Sequence, residues 1–171
     1  NDLKGYADST VDELMEKYKP DIYSKEASHR LFDFNADVKA PVEIGTILVV
    51  DDEPSNLELL EKILQQSNHT VFTAVNAKKA IDILSNKAAQ IDLVLLDLIM
   101  PGMNGMELLQ KLKADSQTLH IPVIMQSALD EMDTIVECIT LGADDFLMKP
   151  VNRILLKAKL NNALEKKHFH D

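Results

Sequence analysis

Between Thr46 and Lys167 the chain alternates short apolar runs with segments in which apolar residues recur every three or four positions. The first kind of pattern predicts strands over 46–50, 70–75, 91–96, 121–125 and 144–148. The second predicts helices from Pro54 to about Ser67, Ala77 to about Lys87, Gly105 to about Ala114, Asp130 to Thr140 and Asn152 to about Lys167. The 91–96 run is apolar on both faces, as expected of a central parallel strand covered by helices on each side. Strands alternating with helices of ten to fifteen residues imply right-handed crossovers and a parallel sheet. The expected fold is therefore α/β, a doubly wound five-stranded sheet of order 2-1-3-4-5, flavodoxin-like, with helices on both faces.

Ahead of this unit, Val11, Leu14, Met15 and Tyr18 follow helical spacing, and Tyr23, Ala27, Leu31 and Phe34 form a second such face. Residues 38–44, interrupted by Pro41, read as an extended linker. The division expected is a helical N-terminal extension and linker over 1–44 and a main domain with a closing C-terminal helix over 45–171. The extension carries more apolar surface than a short appendage buries alone, so it is expected to pack on the main domain, on a missing domain, or across a homodimer, which is the favoured assembly. His29 stands alone on its helix, without a surrounding motif, and reads as a surface residue.

The 171 residues suffice for one domain of ordinary size plus an appendage, and 46% apolar with 27% charged residues is a globular composition. A formal net charge of -10 without a basic stripe argues against direct nucleic-acid binding. No run approaches the roughly 20 apolar residues needed to span a bilayer, and no secretory leader is recognisable, so no membrane association and a cytoplasmic location are expected. The chain opens on Asn1 rather than Met, as a processed chain or a piece of a larger one would. Cys138, the single cysteine, falls among Ile135, Val136 and Ile139 and reads as a core or interface side chain; the scattered histidines offer no zinc spacing.

The candidate chemistry lies where the apolar runs stop. Val49-Val50 leads into Asp51-Asp52-Glu53, the central run into Asp97 and a Pro101-Gly102 turn, the fourth into Gln126-Ser127-Ala128, and the fifth into Lys149-Pro150. In an open α/β sheet the carboxyl ends of the strands form the ligand-binding edge, and the order 2-1-3-4-5 sets the first and third strands side by side. Asp51, Asp52 and Asp97 would then share one crevice. Three crowded carboxylates must bind protons, a cation or a lysine, and oxygen ligands from one or two carboxylates, completed by waters and a phosphate, describe a Mg²⁺ site. With Lys149 opposing the charge of a phosphoryl group and Ser127 able to donate to one of its oxygens, the implied reaction is phosphoryl transfer onto Asp97.

At these residues a family resemblance is plain. Val49-Val50-Asp51-Asp52-Glu53, Asp97-Leu98-Ile99-Met100-Pro101-Gly102-Met103-Asn104-Gly105, Gln126-Ser127-Ala128 and Gly142-Ala143-Asp144-Asp145-Phe146-Leu147-Met148-Lys149-Pro150 resemble the receiver (response-regulator) domain of two-component phosphorelay signalling over about residues 45–167. The resemblance implies that Asp97 is the phosphoacceptor and that Asp52 is a direct Mg²⁺ ligand. It implies further that Asp51 holds the metal through water and that the Ile99 backbone carbonyl completes the protein ligands. Lys149 matches the phosphate-binding lysine, with a cis bond to Pro150, and Ser127 and Phe146 match a hydroxyl and aromatic pair that move together on phosphorylation. Positions two past the phosphoacceptor and two past the hydroxyl, here Ile99 and Leu129, reach the hydrolytic water in the family; neither can orient it, which implies a long-lived phosphoprotein. Asn104 and Val151 depart from the commonest family residues without touching the chemistry.

The implied function is Mg²⁺-dependent phosphoryl transfer from a histidine kinase, a phosphotransfer protein or a small phosphodonor, switching a conformation that controls an effector domain or protein outside this chain. Such a protein catalyses its own phosphorylation and dephosphorylation and turns over no external substrate. A degenerate, binding-only receiver would lack one of these residues, and none is missing. A phosphohydrolase resembling the haloacid dehalogenase family would need a second Asp two residues after the first, where Ile99 stands. The final segment from Lys149 faintly resembles receivers placed ahead of nucleotide cyclases or other enzymatic effectors.

Overall fold

The computed structural model describes residues 43–170. The helical patterns over 1–42 and His29 lie outside the described residues. Five strands, β1 (Thr46–Val50), β2 (Thr70–Ala74), β3 (Leu93–Asp97), β4 (Val123–Ser127) and β5 (Asp145–Met148), form one sheet of order β2-β1-β3-β4-β5, and every pairing is parallel. The connections carry α1 (Pro54–Gln66), α2 (Ala77–Lys87), α3 (Gly105–Ala114) and α4 (Met132–Thr140), and α5 (Arg153–His170) follows β5. This is the doubly wound, flavodoxin-like architecture that the alternating pattern predicts.

Strand alternation sorts the core into two layers. Leu48, Val50, Val94, Leu96, Val123 and Met125 face α2, α3 and α4, where Ala80, Leu84, Leu108, Leu109, Ile135 and Cys138 meet them. Ile47, Val49, Leu93, Leu95, Ile124 and Leu147 face α1 and α5, against Leu57, Leu60, Leu64, Leu156, Leu160 and Leu164. Cys138 is fully buried while Val136 and Ile139 beside it are exposed, so the thiol is a core side chain. Burial pushes its pKa up, with the Glu137 charge adding to the rise, which suits a protonated, unreactive sulfur.

Local signals set the ends of these elements. Pro54 opens α1, where its missing N–H and fixed φ suit the first turn. Asn76 and Asn104 cap α2 and α3, their side-chain oxygens accepting from the amides of Lys79 at 2.8 Å and Glu107 at 2.9 Å. Asn104 therefore serves the turn as the sequence implies. Asn68, at φ 69°, and Gly142, at φ 115°, take the left-handed conformation that ends α1 and α4.

Two strands are displaced from the apolar runs that predict them. Ile91 is buried but closes a short 3-10 turn, its amide donating to Ala88 at 3.2 Å, and the Asp92 carboxylate accepts from the Thr46 amide at 2.8 Å. The central strand therefore starts at Leu93 and runs through Asp97 itself. The fourth begins at Val123, after Pro122, and includes Gln126 and Ser127. Both shifts place the reactive residues on the strands, where the sheet fixes their direction.

Candidate functional site

Asp51 follows β1, Asp97 ends β3, and the two strands are hydrogen-bonded neighbours. Carboxylate oxygens of Asp51, Asp52 and Asp97 all lie within 4.8 Å of one another. Asp51 is fully buried and Asp97 3% exposed, while Asp52 faces solvent. Lys149, just beyond β5, sets its Nζ 2.9 Å from Asp97 Oδ1 and 3.7 Å from Asp51 Oδ2. Its amide donates to the Ser127 carbonyl at 2.8 Å, which continues the β4–β5 ladder, and the Lys149–Pro150 bond is cis.

One lysine does not balance three acids. Burial raises the Asp97 pKa, the Lys149 hydrogen bond and charge act against that rise, and the charges of Asp51 and Asp52 add to it, leaving the group at about 6. For Lys149, burial works to lower the pKa, but the hydrogen bond and charge of Asp97 with the charges of Asp51 and Asp52 outweigh it and raise the value. At neutral pH Asp97 is mainly a carboxylate and Lys149 an ammonium. The excess negative charge and the all-oxygen donor set fit a hard divalent cation.

Asn56 is a site residue that motif reasoning passes over. From the first turn of α1 its Nδ2 donates to Asp51 Oδ2, while the Glu53 amide donates to Asp51 Oδ1 at 2.9 Å. Both oxygens of the buried acid are thereby held. The signal in the sequence is a lone Asn five positions after Asp51, which only the crossover from strand to helix turns back onto the carboxylate.

Ser127 is 1% exposed and its hydroxyl has no hydrogen-bond partner among the described residues. Phe146 is half-buried, packed against the α2–α4 layer, and the Lys159 ammonium sits 4.8 Å from its ring centroid. Ile99, 60% exposed, stands in the loop after Asp97. The sheet therefore brings Asp51, Asp52, Asp97, Ser127 and Lys149 to one edge, with Phe146 on the adjoining strand.

An acid cluster and a lysine at the carboxyl edge of a five-stranded parallel sheet can take up a phosphoryl group, and that is the class of site formed here. Residues 47–161 match the response regulator receiver domain, and the chain belongs to that family. The response regulator PleD of Caulobacter vibrioides is 39% identical over 116 residues, a stretch covering 68% of this chain and 25% of PleD. A cyclic di-GMP phosphodiesterase of Thermotoga maritima is 35% identical over 125 residues, covering 73% of this chain and 32% of the relative. The chain thus spans about a third or less of the length of these curated relatives. Among solved structures, a response regulator receiver domain protein from Clostridium thermocellum superposes with a TM-score of 0.71 at 30% identity, covering 74% of this chain and 99% of that one. The protein is a phosphoacceptor receiver of two-component signalling. Among the described residues no helix is long and apolar enough to cross a membrane.

Proposed function

We propose that Asp97 is the phosphoacceptor, with Asp51, Asp52, Asp97 and the Ile99 backbone carbonyl holding Mg²⁺ and Lys149 and Ser127 binding the phosphoryl oxygens. The observation that carries this reading is the buried Asp97 carboxylate, held between Lys149 at 2.9 Å and two further acids. A carboxylate oxygen attacks phosphorus in line, and an O–P bond forms as the P–N bond of a kinase or phosphotransfer-protein phosphohistidine breaks. The electron pair leaves with the imidazole, which takes up a proton; with acetyl phosphate a P–O bond breaks and acetate leaves. When bound, Mg²⁺ supplies positive charge against the phosphoryl oxygens. Lys149 shifts its ammonium from the carboxylate to the incoming group, and the unpartnered Ser127 hydroxyl gains an acceptor there. Asp97 is regenerated by hydrolysis, in which water attacks phosphorus, the acyl O–P bond breaks and inorganic phosphate leaves; the covalent intermediate is on the domain itself.

Residues 45–171 are the receiver unit on this reading, working in the cytoplasm. Ser127 and Phe146 form its switch, and the output is an effector domain or protein outside this chain. Mass spectrometry of the intact protein after incubation with acetyl phosphate tests the assignment. One phosphoryl group is expected with Mg²⁺, none with EDTA and none on the Asp97→Asn protein; stoichiometric labelling of that variant would remove Asp97 from its role. Ser127→Ala and Phe146→Ala should retain the label but lose the amide-exchange response to beryllofluoride.

A further inference from the structure

Gln126 stands at the reactive edge with a polar side chain that none of this chemistry employs. It is 0% exposed, yet neither its Nε2 nor its Oε1 has a hydrogen-bond partner among the described residues. A carboxamide brings two donors and an acceptor oxygen into the core, and an apolar side chain of similar size would fill the same space without that penalty. Buried polar groups left in this state call for an explanation in the chemistry around them.

The sheet register supplies the surroundings. Gln126 is paired across the ladder with Asp97 on β3 and with Leu147 on β5. Ile124, two residues earlier on β4, packs in the α1–α5 layer, as do Leu95 on β3 and Leu147 on β5. Strand alternation therefore assigns Asp97, Gln126 and Lys149 to that same face at the carboxyl edge. β4 lies between β3 and β5, so the 2.9 Å contact from Lys149 Nζ to Asp97 Oδ1 has to pass over the end of β4. On that face of β4, Gln126 is level with Asp97, while Lys149 stands one alternation further on, level with Ala128 just beyond the strand, so its side chain reaches back toward the level of Gln126 to meet Asp97. Ser127, the next residue, alternates to the opposite, α2–α4 side.

We propose that Gln126 is a positioning residue for phosphoryl transfer, its amide unpartnered while Lys149 holds Asp97 and engaged only when Lys149 leaves the carboxylate for the phosphoryl group. A carboxamide suits this place because its two ends match the two partners. Nε2–H can donate to a carboxyl oxygen of Asp97, and Oε1 can accept from the Lys149 ammonium. When Lys149 turns toward a phosphoryl oxygen, the amide is the neighbouring group able to take over an Asp97 oxygen and keep the carboxyl plane fixed. Gln126 touches no phosphoryl oxygen in this scheme and acts through Asp97 and Lys149. The proposal rests on the assignment of Asp97 as phosphoacceptor.

The full chain with acetyl phosphate and Mg²⁺ provides the test, using Gln126→Met and Gln126→Leu, which keep the volume and remove the amide. The expected result is a phosphorylation rate constant at saturating donor and Mg²⁺ lowered about tenfold or more, with the half-saturating Mg²⁺ concentration changed less than twofold. Both variants should also show an urea midpoint at or above the parent's, since an unpartnered amide has been removed from the core. A purely structural glutamine would give the opposite pair, a lowered midpoint with an unchanged saturated rate. That pattern, or parent-like rates in both variants, overturns the proposal while leaving the Asp97 assignment intact. Labelling of the Asp97→Asn protein would remove the assignment and this proposal together.

Discussion

The backbone carbonyl oxygen of Asp97 lies 2.2 Å from the point where a Cβ on Gly105 would stand, and Leu98 Cα lies 2.8 Å from it. The chain leaves the central strand, rounds the Pro101-Gly102 turn and returns at the first residue of α3 to press against the strand it has just left. The Gly105 amide donates to the Leu98 carbonyl at 2.8 Å, so the close approach is also hydrogen-bonded.

Both contacts at Gly105 are with backbone, which cannot swing aside as a flexible side chain would. Gly105→Ala should therefore destabilise the fold by about 1–3 kcal/mol and displace the loop bearing Ile99. Urea denaturation and the Mg²⁺ dependence of labelling would show both effects. By contrast Gly102, with open space around its Cβ position, needs glycine only for its φ of 77°.

The buried charges predict two opposite pH effects. Asp97 has a folded pKa raised to about 6, by burial first and then by neighbouring acids, so without metal its ionised form opposes folding at high pH and the penalty is relieved as pH falls through 6 toward its unfolded value. In EDTA at pH 8, Asp97→Asn should raise stability, on the order of 2 kcal/mol, and the gain should shrink toward pH 4. His69 behaves the other way. Burial lowers its pKa, and Nδ1 accepts the Gly45 amide at 3.2 Å, so the neutral ring is the one that fits. Its contribution is present above the unfolded pKa of about 6.5 and is lost as pH falls through the lower folded value, at no more than about 1.4 kcal/mol per pH unit. Urea midpoints from pH 8 to pH 5 should decline less for His69→Gln than for the parent.

If Asp97 carries the phosphoryl group as proposed, its lifetime depends on how a water is placed opposite that residue. Ile99, two residues on and exposed, has no group with which to orient it; the side chain of Leu129, the other position implied, lies outside the described residues. Ile99→Asn should speed phosphate release, on the order of tenfold, in a time course on purified phosphoprotein. An unchanged decay would assign control of the water elsewhere.

Met15, Tyr18, Tyr23, Leu31 and Phe34 are the residues ahead of the receiver from which self-association is expected. Sedimentation should give twice the monomer mass for the full chain and the monomer mass for residues 45–171. A full chain that sediments as a monomer, or residues 45–171 that sediment as a dimer, would exclude the extension as the source of dimerisation.

The sheet order was legible because each strand is a short apolar run punctuated by turn residues, and the reactive edge because four runs end in chemistry. What the sequence concealed depends on contacts between elements. Ile91 is as apolar as a strand residue but is buried by a 3-10 turn, so hydropathy overextends the central strand at its start and misses Asp97 at its end. Asn56 looks like any polar residue on a solvated helix until the β1–α1 connection turns it onto Asp51. Gln126 reads as a neutral filler between Met125 and Ser127, and only the register beside Asp97 shows where its amide is buried.

The order β2-β1-β3-β4-β5 also determines when the site comes into being during synthesis. Asp51 and Asp97 meet only after β3 has docked beside β1, and Lys149 follows the last strand to join. A nascent chain that has emerged no further than β4 holds the acids without their lysine. On the role proposed for Lys149, such a chain would keep the crowded acids without the cation that opposes the phosphoryl charge. Competence to be phosphorylated would then coincide with completion of the sheet, and a chain ending before β5 should take no label from acetyl phosphate.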